Sequence, residues 1–163
     1  MEPGTILIDP DAIARERGLS EVAAGREATR LIADRLAVGA DLLVETTLSG
    51  KNALRLMATA KARGYDVRLL YVGTEDVAIN VARIARRVMA GGHDVPEKDV
   101  IRRYGRGLAN LTAALARADE VAIFDNSSEG GPTVVARGLR CDLEYVVPEP
   151  RWLSDAIGDH GDR

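Results

Sequence analysis

Leu42-Leu43-Val44-Glu45-Thr46-Thr47, then a helical stretch from about Asn52 to Arg63 stopping at Gly64, then Val67-Arg68-Leu69-Leu70-Tyr71-Val72, is the passage that decides the fold. Two short apolar runs flank a helical segment that ends at a glycine. Strands alternating with helices give an α/β fold, mostly a parallel sheet with flanking helices.

The alternation extends in both directions. Upstream, Thr5 to Ile8 is a short apolar run ending in Asp9-Pro10-Asp11. A helix follows from about Ser20 to Val38, with Val22, Ala23, Leu31, Ile32 and Leu36 spaced for one face, Ser20 as N-cap and Gly39 as terminator. Downstream come a helix over about Glu75 to Ala90, another over about Glu97 to Arg117, and a strand at Val121-Ala122-Ile123-Phe124. Past a turn at Gly130-Gly131-Pro132, Thr133 to Arg137 and Leu143 to Val147 read as two late edge strands. The expectation is one domain over residues 1–157, with a frayed acidic tail at 158–163.

Charge is local. The chain is net −3, yet the segment from Arg83 to Arg106 carries seven cationic side chains against three carboxylates, net +4. Arg83, Arg86 and Arg87 precede Gly91-Gly92-His93-Asp94-Val95-Pro96; Arg102, Arg103 and Arg106 follow it. Arginine forks onto phosphate oxygens, and a Gly-Gly pair frees the backbone between two helices. The segment reads either as an arginine-rich helical lid over about 83–106 that closes on a phosphorylated ligand, or as a solvated helix face with i,i+4 pairs.

Composition narrows the class. Apolar content of 46% fits a soluble globular protein, and aromatics at 4% leave the core to Ala, Val, Leu and Ile. A single cysteine, Cys141, excludes an internal disulfide framework and points to a reducing, cytoplasmic setting. There is no 18-residue apolar run and no basic leader after Met1, so neither a membrane span nor a signal peptide is expected. Mild acidity argues against nucleic acid as a partner. No metal site is expected.

In open α/β sheets ligands bind beyond the carboxyl ends of strands. That rule selects Asp9 to Asp11, Glu45 to Thr47, Gly73-Thr74 and Asp125 to Ser128. Asp11 is either a general base for a substrate hydroxyl or, with Asp9, a helix cap. Glu45 either holds a substrate hydroxyl or base edge, or is an ordinary polar strand end. Thr46 and Thr47 add hydroxyls. Gly50-Lys51-Asn52 follows a strand and opens a helix, as a phosphate loop would. The pattern G-x-x-x-x-G-K-[ST], however, would put its first glycine at Glu45 and its magnesium-binding hydroxyl at Asn52.

Four stretches in sequence resemble one family. Asp9-Pro10-Asp11-Ala12-Ile13-Ala14-Arg15, Leu43-Val44-Glu45-Thr46-Thr47-Leu48-Ser49-Gly50, Gly91-Gly92-His93-Asp94-Val95-Pro96 with Ile101-Arg102-Arg103-Tyr104 and Leu108-Ala109-Asn110-Leu111, and Phe124-Asp125-Asn126-Ser127 are similar to the zeta toxin, or UDP-N-acetylglucosamine kinase-like, P-loop kinases. The resemblance spans roughly residues 5–138. It implies an ATP- and Mg²⁺-dependent phosphotransferase acting on a hydroxyl of a small molecule such as a nucleotide sugar, with an antitoxin protein as partner. By the same resemblance Asp11 is the catalytic carboxylate and Glu45 and Thr46 hold the substrate, with the hydroxyl of Thr47 added to them as a substrate-binding group. Arg87, His93, Arg102 and Arg103 are the lid's phosphate contacts, and Asp125 and Asn126 lie near the nucleotide base. The family's first strand and Walker A loop should precede Thr5, and neither is there. The expectation is therefore a kinase body that is inactive as this chain. The alternative is a non-catalytic nucleotide-sugar binding or regulatory protein on the same fold.

Overall fold

The computed structural model describes residues 4–139 and 142–158. The chain divides into two compact units, Met1–Thr46 and Thr47–Arg163.

In the first unit, β1 (Ile6–Ile8) and β2 (Leu42–Val44) pair in parallel, Ile8 opposite Val44. Between them run α1 (Pro10–Arg17) and α2 (Glu21–Ala37). The core is Ile8, Ile13, Ala24 and Ala28, with Ile6, Leu31, Ile32, Leu42 and Val44 packed around it. Ser20 caps α2 by accepting from the Ala23 N–H, as its position before the periodic stretch predicts. The helix α1 begins directly at the end of β1, with Pro10 in its first turn, where a missing N–H costs nothing.

The second unit holds α3 (Lys51–Ala62), β3 (Arg68–Gly73), α4 (Val77–Met89), α5 (Glu97–Leu115), β4 (Glu120–Asp125), β5 (Thr133–Leu139), β6 (Asp142–Tyr145) and α6 (Arg151–Ile157). Its sheet has the order β3-β4-β5-β6. The core gathers Leu48, Leu111, Ala114, Leu115, Val121, Ile123, Val135, Ala136, Trp152, Leu153 and Ile157. Lys61 of α3 pairs with Asp119, whose other carboxylate oxygen accepts the Val67 N–H at 2.9 Å, tying two loops at one end of the sheet.

The sheet corrects the sequence expectation at two points. The four-stranded sheet is not mostly parallel: β3–β4 is parallel, whereas β4–β5 and β5–β6 are antiparallel, and the parallel pair β1–β2 forms its own two-stranded sheet. The reason is connection length, because a short turn at Gly130-Gly131-Pro132 can only return the chain antiparallel, while a parallel step needs a crossover. Nor is β5 an edge strand, since it lies between β4 and β6. Its register slips opposite Ile123 and Phe124, so neighbouring Val135 and Ala136 both turn inward and are buried. The expected tail lies outside the described residues beyond Gly158, as does Cys141.

Three helix stops, those of α2, α3 and α4, follow one device. After α4, Gly91 takes a φ of 83° and its N–H bonds the Val88 carbonyl, while the Gly92 N–H reaches back to Arg87. These two bonds are a Schellman motif, which satisfies carbonyls the helix would otherwise orphan. The same pair of bonds closes α2 at Gly39 and α3 at Gly64. Gly91-Gly92 therefore has a helix-ending role of its own, independent of hinge motion.

Candidate functional site

The residues singled out by sequence lie at two strand ends and on one helical hairpin.

At the first strand end, the parallel pairing of Ile8 with Val44 brings the residues after β1 and β2 out side by side. The Glu45 N–H donates to the Ile8 carbonyl at 3.1 Å, locking the two exits together. Asp9 is the cap of α1, its Oδ1 accepting the Asp11 N–H at 2.8 Å. The choice between cap and free carboxylate is thus divided between two residues. Asp9 takes the cap, and the Asp11 carboxylate stands exposed in the first turn, with no partner among the described residues. A helix N-terminus favours that negative charge. Glu45 is likewise exposed, its carboxylate unengaged among the described residues. Thr46 is exposed beside it. This end offers two carboxylates with capacity to bind and deprotonate an alcohol.

Thr47 belongs to the second unit, where its hydroxyl and that of Ser49 lie 2.8 Å apart. Leu48 between them is buried at φ 55°, and its carbonyl accepts Asn110 Nδ2 at 2.8 Å. The loop ahead of Lys51 is therefore plugged into the core by Leu48 and held by α5. It presents no glycine-built ring of N–H groups, and Lys51 is exposed at a helix start capped by no side chain. The residues present do not fit the phosphates of ATP. Among the described residues no group of three or more His, Cys, Asp or Glu could hold a metal ion.

At the second strand end, β3 and β4 finish together, Gly73 opposite Asp125. Asp125 is half-buried, and its Oδ1 accepts both the Ser127 hydroxyl at 2.6 Å and the Trp152 indole N–H at 3.0 Å. Ser127 Oγ accepts the Glu75 N–H at 2.8 Å, and the Asn126 N–H donates to Gly73. Trp152 is 3% exposed and its ring lies 5.9 Å from that of Tyr71. Burial pushes the Tyr71 phenol up to about 12, with the nearby Tyr104 adding to the shift. A Cβ on Gly73 would run into the Trp152 ring.

The helical hairpin α4–α5 carries the arginines. Arg87 Nη2 donates to the His93 carbonyl at 3.0 Å, closing its own loop. Arg102 forks onto Asp99 Oδ1 through Nε and Nη2 and holds that carboxyl below its usual range. Arg83 donates to the Ser128 carbonyl at 2.9 Å, and Arg86 lies 3.5 Å from Glu129. His93 is exposed and Arg103 half-buried. Exposed pairs of this kind contribute about 0–1 kcal/mol each, so they leave the guanidinium groups available to exchange partners.

Sequence reasoning selected Thr74 as a strand-end residue without its bonds, and missed Trp152. Thr74 is 4% exposed, the one polar residue buried among those described. Its Oγ1 accepts Asn80 Nδ2 at 2.8 Å and its carbonyl accepts the Tyr104 hydroxyl at 2.9 Å. The available signal was its place directly after an apolar strand. The signal for Trp152 was that it is the chain's one tryptophan, in a sequence with few aromatics to fill a core.

A family model described as Zeta toxin matches residues 15–130, a span that includes Glu45, Thr46, Thr47, Thr74, the arginines of α4 and α5, His93, Asp125 and Asn126 but neither Asp9, Asp11 nor Trp152. An uncharacterized protein of Haemophilus influenzae is 39% identical over 104 residues, covering 61% of this chain and 74% of the relative. Among solved structures, a chain from the PezAT chromosomal toxin-antitoxin system of Streptococcus pneumoniae is similar with a TM-score of 0.56 and 16% identity, over 98% of this chain and 69% of that one. At that identity the likeness is one of fold.

Proposed function

The chain belongs to the zeta toxin family, and from that premise we propose that it is a phosphotransferase of the P-loop kinase type acting on a hydroxyl of a small molecule. UDP-N-acetylglucosamine or a related nucleotide sugar is the first acceptor to test. The observation that carries the reading is the first strand end, where Asp11 and Glu45 emerge together with their carboxylates unspent. In this reading Asp11 accepts the proton of the acceptor hydroxyl, and Glu45, Thr46 and Thr47 bind the rest of the acceptor. The guanidinium groups of Arg87, Arg102 and Arg103, with His93 as a further phosphate contact, neutralise phosphate charge, the main task of such catalysis. Asp125 and Asn126 border the nucleotide base. The donor is ATP with Mg²⁺. These 163 residues contain no G-x-x-x-x-G-K-[ST], and the loop before Lys51 does not fit phosphates, so we assign no donor-side step to them. Residues 1–163 by themselves bind acceptor without transferring phosphate.

The fold likeness to a toxin-antitoxin chain supports an antitoxin protein as partner. Among the described residues no helix is long and apolar enough to cross a membrane. The lone cysteine supports action in a reducing compartment such as the cytoplasm.

The test is to purify the protein from its source cells, determine its intact mass, and incubate it with ATP, Mg²⁺ and UDP-N-acetylglucosamine. ADP and a phosphorylated sugar nucleotide, from a protein whose peptides include a Walker A sequence, support the kinase. A mass equal to Met1–Arg163, with acceptor binding and no ADP, establishes instead the non-catalytic nucleotide-sugar binder. Absence of both turnover and binding overturns both.

A further inference from the structure

Both arms of the arginine-bearing hairpin converge on one residue. Asn80 of α4 donates to the Thr74 hydroxyl, and Tyr104 of α5 donates to the Thr74 carbonyl. The hydroxyl also donates to the Asp76 carbonyl at 3.3 Å, and Asp76 is the N-cap of α4, its side chain accepting the Ala78 N–H. Thr74 directly follows Gly73, the last residue of β3, and is almost wholly buried. One buried residue thus sets the start of α4, the lateral position of α4, and the seat of α5. Tyr104 immediately follows Arg102 and Arg103, and Asn80 lies on the helix that carries Arg83, Arg86 and Arg87. By contrast, Arg83, Arg86, Arg87 and Arg102 reach groups at or near the surface: the half-buried Asp99, the exposed Glu129 and the backbone oxygens of Ser128 and His93. These hold guanidinium groups loosely, whereas the Thr74 bonds are shielded.

We propose that Thr74, Asn80 and Tyr104 form a positioning network that fixes the arginines of α4 and α5 for binding a phosphorylated ligand, without touching that ligand themselves. The inference rests on the reading of those arginines as phosphate contacts. Its chemistry is the preorganisation of charge: a guanidinium held in place loses less freedom on binding than one that must be ordered by the ligand. Removing the Tyr104 hydroxyl takes away no charge, yet it frees the α5 arginines from the strand end.

The experiment uses the full 163-residue chain and UDP-N-acetylglucosamine as probe, with affinity measured by titration calorimetry at a series of salt concentrations. The temperature is kept well below every variant's unfolding midpoint. Under that condition a loss of stability alone leaves the dissociation constant unchanged, because the folded fraction stays near one. Tyr104→Phe and Thr74→Val are expected to weaken binding about five- to ten-fold, the equivalent of one lost hydrogen bond. Their salt dependence should match wild type, since no ion contact is removed. Thr74→Ser keeps the hydroxyl and should restore wild-type affinity. The double change Arg102→Gln with Arg103→Gln should weaken binding and flatten the salt dependence. If that double change weakens binding while Tyr104→Phe and Thr74→Val do not, the positioning network is overturned and the phosphate reading stands. If the arginine changes have no effect, or the wild-type chain does not bind the probe, the phosphate reading fails and takes the network with it.

Discussion

The two strand ends have similar vocabularies and opposite states. After β1 and β2 come Asp9, Asp11, Glu45 and Thr46; at the ends of β3 and β4 come Thr74, Glu75, Asp125, Asn126 and Ser127. At the first, one carboxylate is used for a cap while Asp11 and Glu45 remain exposed and unengaged among the described residues. At the second, Asp125 accepts two hydrogen bonds, Ser127 passes one on, and Thr74 anchors two helices. The lesson is that a polar strand end declares its role by how much hydrogen-bonding capacity is left over. Capacity already spent builds a scaffold; capacity left over is available for a substrate.

The largest expected effect tests the scaffold side. Trp152→Ala removes a buried ring and should destabilise the second unit by about 3–5 kcal/mol, seen as a large drop in the denaturant midpoint. A small drop would mean that the ring does not organise that strand end. Next comes the reactive side. Asp11→Asn in the native protein should reduce phosphate transfer by about 100-fold or more, with the melting temperature almost unmoved. Unchanged turnover would reduce Asp11 to an ornament of the helix start. Asp125→Ala inverts that pattern, costing about 1–3 kcal/mol of stability because two donors lose their acceptor. A variant that melts normally but loses nucleotide binding would move Asp125 to the reactive class and break the comparison.

The smallest effect concerns neither end and serves as a control. Glu27 accepts from Arg30 and Arg17, and these bonds hold its carboxyl down to about 2 against partial desolvation. A carboxyl depressed in the folded state stabilises above its unfolded value of 4.5 and loses that contribution as pH falls toward 2. Glu27→Gln should therefore lower the melting temperature slightly at pH 6, and the difference from wild type should shrink between pH 4.5 and 2. A difference that persists at pH 2 would assign the effect to packing.

How much of this was legible in the sequence depended on range. Helix ends were readable because their causes are local: Ser20 caps through a bond three residues away, and Gly39, Gly64 and Gly91 stop helices through bonds within one turn. The strand ends were readable for the same reason, as apolar runs meeting polar residues. The division into two units, the interior place of β5 and the short α6 were not, because strand order and unit boundaries are settled by pairings far apart in sequence. In the site, Asp11 and Glu45 could be chosen but not separated from Asp9, since the division of labour is visible only once the cap bond is drawn. The anchoring bonds of Thr74 and Trp152 were out of reach: their partners Tyr104 and Asp125 lie 30 and 27 residues away.

The contact between Gly73 and Trp152 has a consequence for how the sequence can drift. Any side chain at position 73 must displace the indole and with it the bond to Asp125. The two positions are therefore a single heritable unit. Lineages that enlarge residue 73 should be found only where residue 152 has already shrunk, and the order of those two substitutions should be the same in each.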